Sequence, residues 1–80
     1  MKIPRNLTGA QLVRALRKLD YEAVRQDGSH IRLTTRRDGE HHLTVPAHSP
    51  LKVGTLNSIL KLVAAHHPLS VGELLALLDL

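Results

Sequence analysis

Apolar positions along the chain repeat first with a helical period, then with a strand period, then with a helical period again. Leu12, Val13, Leu16 and Leu19 form one stripe at helical spacing, leaving Arg14, Arg17 and Lys18 on the solvated side. Thr8 and Gln11 make a capping box ahead of that stripe, and Leu7 can staple onto Leu12, so a helix starts there. From Val24 to Val45 the alternation is two-residue, and turn chemistry sets the expected register. Asp27-Gly28 is a type I′ hairpin signal that pairs Gln26 with Ser29, Arg25 with His30 and Val24 with Ile31. Arg37-Asp38-Gly39 reads as a three-residue loop with a left-handed glycine, which pairs Leu33 with Leu43 and Ile31 with Val45. Val24, Ile31, Leu33, Leu43 and Val45 then face the core, while Arg25, His30, Arg32, Thr34, His42 and Thr44 share the other, cationic face. After a loop from Pro46 to Pro50, Leu56, Ile59, Leu60 and Val63 mark a second amphipathic helix that stops near His66-His67-Pro68. Ser70 and Glu73 form another capping box, stapled by Leu69 and Leu74, and open a last short helix carrying Leu74, Leu75, Leu77 and Leu78. The expected fold is α+β in the order α-β-β-β-α-α: a three-stranded antiparallel sheet with helices on one face, forming one domain over residues 1–80.

Composition narrows the function classes. A chain of 80 residues buries only about 60% of its unfolded surface, so any site is shallow and surface-built. Phe and Trp are absent and Tyr21 is the one Tyr, which excludes a sheet face that stacks bases on several aromatic rings. Without cysteine there is no disulfide framework, zinc ribbon or thiol nucleophile. Met1 to Leu7 carries no apolar leader, and no window reaches the roughly 18 apolar residues of a membrane span, so a cytoplasmic protein with no membrane contact is expected. Eleven Lys plus Arg against seven Asp plus Glu give a formal charge of +4 and point to a polyanionic partner.

Among the titratable residues, His30 follows a Gly-Ser and falls on the cationic face beside Arg25 and Arg32. Imidazole titrates near pH 6.5 and can act as general base or acid, and guanidiniums can clamp phosphate oxygens, so this is a candidate phosphodiester site. The other reading of His30 is an ordinary half-exposed strand residue. A metal site among His41, His42, His48, His66 and His67 is disfavoured, because His41 and His42 face opposite sides and no His-x-x-x-His motif occurs. His66-His67 reads as a helix C-terminus favoured by the macrodipole. Ser29 is expected to start a strand. A Ser-His hydrolase is disfavoured for want of a nucleophile elbow. Lys52, with Gly54 and Thr55, opens the second helix, where an anion could dock. His48 lies in the loop that leads there.

Four blocks in order resemble the HicA-type (YcfA-like) toxins of bacterial toxin–antitoxin systems. They are Gln11 to Leu16, Tyr21 to His30 with its Gly28-Ser29-His30 tripeptide, Leu43 to His48, and Leu51 to Leu60. The resemblance covers residues 8–78. It implies a fold similar to the double-stranded-RNA-binding domain and ribosome-independent cleavage of mRNA, with His30 as the catalytic residue. It also implies inhibition of translation and a HicB-like antitoxin that covers the site. On that basis the RNA-binding set is Arg25, Gly28, Ser29, Arg32, His48 and Lys52, with no metal and no cofactor. Two other readings stay open: a non-catalytic RNA-binding module of similar fold, and an interaction domain that docks a partner through Leu74 to Leu78.

Overall fold

The computed structural model describes residues 3–80. Helix α1 (Gly9–Leu16) begins where the capping box requires: the Thr8 hydroxyl accepts from the Gln11 amide at 3.1 Å, and the Gln11 side-chain oxygen accepts from the Thr8 amide at 2.9 Å. A 3₁₀ turn (Arg17–Leu19) extends it to Asp20, whose left-handed backbone turns the chain into the sheet. Strands β1 (Glu22–Asp27), β2 (His30–Thr35) and β3 (His41–Pro46) form an antiparallel meander in that order. Helices α2 (Val53–His66) and α3 (Val71–Leu78) complete the α+β order expected from the periodicity. Ser70 and Glu73 cap α3 reciprocally, and these hydrogen bonds hold the Glu73 carboxyl below its ordinary range.

One face of the sheet meets the helices. Leu33, Leu43 and Val45 from the strands pack with Leu12, Leu16 and Leu19, with Leu56, Ile59, Leu60 and Val63 of α2, and with Leu74, Leu75 and Leu78 of α3. Burial of these aliphatic side chains supplies most of the drive to fold, at roughly 1.5–3 kcal/mol for each fully buried side chain. Gly9 lets α1 sit directly against the exit of β3. Its amide donates to the His48 carbonyl at 2.9 Å, and a Cβ there would collide with the Pro46 carbonyl.

The β1–β2 register departs from the I′ reading. Asp27 stands opposite His30, Gln26 opposite Ile31 and Arg25 opposite Arg32, so the turn residues are Gly28 and Ser29. Gly28 has φ +59 and Ser29 is not among the positive-φ residues, which matches a II′ turn with Gly in first place. Ser29 is therefore a turn residue and not a strand start. Moving the turn one residue along the chain slips the pairing by two. Parity is kept, and Arg25 stays on the open face although its partner changes from His30 to Arg32. A bulge then intervenes: Val24 and Arg25 together oppose Arg32, and pairing resumes at Ala23 with Leu33. Val24, expected in the core, is consequently 59% exposed. The β2–β3 loop runs over residues 36–40, longer than the three expected, with Asp38 and Gly39 both at positive φ. The expected pairs Leu33–Leu43 and Ile31–Val45 are present.

Candidate nucleic-acid interface

The tight turn at Gly28-Ser29 sets the site. It places Asp27 and His30 directly across from each other, and the period-two rule puts Arg25 and Arg32 on the same side two pairs along. These four exposed side chains occupy a square: Arg25 and Asp27 on β1, Arg32 and His30 on β2. Arg25 Nε lies 3.0 Å from Asp27 Oδ2. On β3, Pro46 faces His30 and Thr44 faces Arg32. Farther along, Thr34 Oγ1 and His42 Nδ1 are 2.8 Å apart, and Glu40 lies 3.9 Å from the same imidazole. The face is cationic at the His30 end and mixed at the other.

Chain geometry brings the remaining sequence-derived candidates to different degrees. The Ala47 amide donates to the Ser29 carbonyl at 2.6 Å, so the loop carrying His48 leaves the sheet beside the hairpin tip. His48 is exposed at that end. Lys52 is the N-cap of α2, exposed and without a side-chain capping bond; Leu51 just before it is tied to the Leu7 carbonyl at 2.7 Å. Gly28 and Ser29 form the turn itself. A shallow depression of about 450 Å³ lies toward the other end of β1 and β2, lined in part by Asp20, Glu22, Arg36 and Arg37. Among the described residues, no group of three or more His, Cys, Asp or Glu side chains is placed to hold a metal ion.

Two features escape the sequence reading. Asp27 reads from the sequence as a turn residue, yet it is the carboxylate facing His30. The second is a polar cluster at the opposite end of the sheet, on the helix side. Tyr21 is 1% exposed, and its hydroxyl lies 2.7 Å from His41 Nδ1 and 3.1 Å from His67 Nε2. His67 Nδ1 is 3.0 Å from the Asp38 carboxylate. His66 Nε2 donates to the carbonyls of Arg37 and Gly39 at 3.1 and 3.0 Å, and its ring stacks on His41 at 4.3 Å. Burial pushes the Tyr21 phenol up to about 12. His41 is held below the ordinary imidazole range, first by burial and then by the charges of His66, His67 and His42. The His66-His67 pair therefore does more than end a helix: it ties α2 to the β2–β3 loop.

Comparison with known families matches residues 9–64 to one described as HicA toxin of bacterial toxin-antitoxin, well over half of the chain. The chain belongs to the HicA toxin family. The matched segment holds α1, the three strands, His30 and most of α2, and ends before α3. Comparison with curated proteins and with solved structures finds no match. As a HicA toxin the protein is one half of a toxin–antitoxin pair, and its partner is a cognate antitoxin. Among the described residues, no helix is long and apolar enough to cross a membrane.

Proposed function

We propose that this HicA toxin is an mRNA endonuclease that needs no metal, with His30 as its catalytic residue. The observation that carries the reading is the exposed imidazole at a fixed hairpin tip, with two guanidiniums two residue pairs away on the same face. In RNA cleavage the 2′-hydroxyl loses its proton, its oxygen attacks the adjacent phosphorus, and the 5′-oxygen of the next nucleotide leaves and takes up a proton. The products are a 2′,3′-cyclic phosphate and a 5′-hydroxyl. Neutral His30 can accept the first proton, or its imidazolium can supply the second. Arg25 and Arg32 would neutralise the phosphorane oxygens as charge accumulates on them. Gly28 and Ser29 keep the tip narrow enough for a phosphate to approach, and His48 and Lys52 extend the cationic border along the 46–52 loop. Cleaving mRNA would stop translation in the cytoplasm, and a HicB-like antitoxin would silence the toxin by covering this face.

The test is gel analysis of a structured mRNA incubated in EDTA with wild type and with His30→Ala. Cleavage by wild type alone, with rate lost by about 10²-fold or more in the variant and RNA binding retained, is the expected result. Equal cleavage by both proteins would move the chemistry to another residue such as His48. Salt-sensitive binding with no cleavage by either would leave a non-catalytic RNA-binding module.

A further inference from the structure

We infer that Asp27 is a positioning residue for His30, held in reserve by Arg25; the inference rests on the proposed role of His30. Asp27 and His30 flank a two-residue turn and are direct cross-strand partners on one face of the hairpin. Around His30 on the sheet, Asp27 stands across on β1 and Arg25 and Arg32 two pairs along, β3 presents Pro46 and Thr44, and the chain after β3 carries His48 and then Lys52. Asp27 is the only carboxylate of this set. In the free protein its oxygen is engaged by Arg25 Nε at 3.0 Å and makes no hydrogen bond to His30. A carboxylate beside an imidazole orients the ring through an N–H bond and favours its protonated form, and a guanidinium that already holds the carboxylate weakens both effects.

An incoming phosphodiester changes the pairing. Phosphate oxygens compete with the carboxylate for the Arg25 guanidinium, which can hold them in the same bidentate manner. Released from Arg25, the Asp27 carboxylate is free to turn toward the imidazole of its cross-strand partner. It can then accept a hydrogen bond from one ring nitrogen while the other nitrogen works on the RNA. The exchange couples phosphate binding to preparation of the catalytic group, and the proton shared with Asp27 stays on the imidazole throughout.

The experiment is a double-variant cycle read by NMR titration of His30 in the full-length protein, using Arg25→Gln, Asp27→Asn and both together. Losing Arg25 removes a nearby cation in either background, so the informative quantity is the difference between backgrounds. Arg25→Gln should raise the titration midpoint of His30 further with Asp27 in place than in the Asp27→Asn background, by about half a unit or more. An equal rise in both backgrounds would overturn the inference. A second reading uses cleavage: Asp27→Asn should lower kcat more than it changes KM and move the pH profile of kcat in the acid direction. An unchanged profile would also count against it. If the NMR coupling appears while neither wild type nor variant cleaves RNA, the pairing of Asp27 with His30 stands and the nuclease reading falls.

Discussion

Tyr21 shows how much one buried hydroxyl can organise. A phenol has a single proton to donate, so of its two imidazole neighbours one must receive that proton and the other must donate to the oxygen. Asp38 holds a proton on His67 Nδ1, so in the neutral ring Nε2 accepts from the phenol, and His41 Nδ1 donates to the phenol oxygen. Tyr21→Phe leaves His67 Nε2 buried without a partner. It should cost about 1–3 kcal/mol in urea unfolding, well above the effect of a surface change. His41 adds a pH dependence whose sign is fixed. Its folded-state pKa is depressed, so between that value and the unfolded value near 6.5 the unfolded chain binds more protons, and stability rises with pH through that window. The melting temperature should therefore fall as pH drops below about 6.5, and His41→Gln should flatten that slope; an unaltered slope would show that another group governs it. Glu73 is depressed as well, but its window opens near and below 4.5, so the two effects separate on the pH axis.

At the scale of elements, both capping boxes and both helical stripes were legible, because each is a local pattern with one reading. The first hairpin was not. Asp27-Gly28 and Gly28-Ser29 are both valid two-residue turns, I′ and II′, and local sequence does not choose between them. The chain takes II′ with Gly28 in first place, and the bulge at Val24 then brings β1 to a register in which Ala23 faces Leu33. His30, Arg25 and Arg32 were placed on one face from sequence because a two-residue slip preserves the face. Asp27 was missed because the same slip changes the partner. The histidine cluster was invisible for another reason, since Tyr21, the Asp38 to His41 stretch and His67 are brought together from three separate places in the chain. Gly9 is a contact of the same long-range kind. Gly9→Ala should destabilise the fold by at least about 1–3 kcal/mol in urea unfolding, as the added methyl forces α1 away from Pro46, whereas Gly54→Ala has open space to fill and should be tolerated.

For the whole molecule, the notable point is that the family-matched segment stops before a helix the core depends on. Leu74, Leu75 and Leu78 of α3 are each 5% exposed or less, and Lys18 Nζ reaches the Leu78 carbonyl at 3.4 Å. Losing three buried leucines at about 2–5 kcal/mol each would exceed the stability of most domains of this size. A chain ending at His67 should lack a cooperative thermal transition by circular dichroism. A sharp transition in that truncation would mean that the sheet and two helices form a sufficient core. The open sheet face owes its availability to the same arrangement, because all three helices lie on the other side.

The scarcity of aromatic residues gives the molecule an optical property of its own. With no tryptophan or phenylalanine in the chain, long-wavelength ultraviolet absorption and intrinsic emission come from the single ring of Tyr21. That ring sits where α2 meets the β2–β3 loop, hydrogen-bonded to two imidazoles and sealed from water. Its spectrum is thus a built-in, label-free gauge of one junction, reporting when that corner opens.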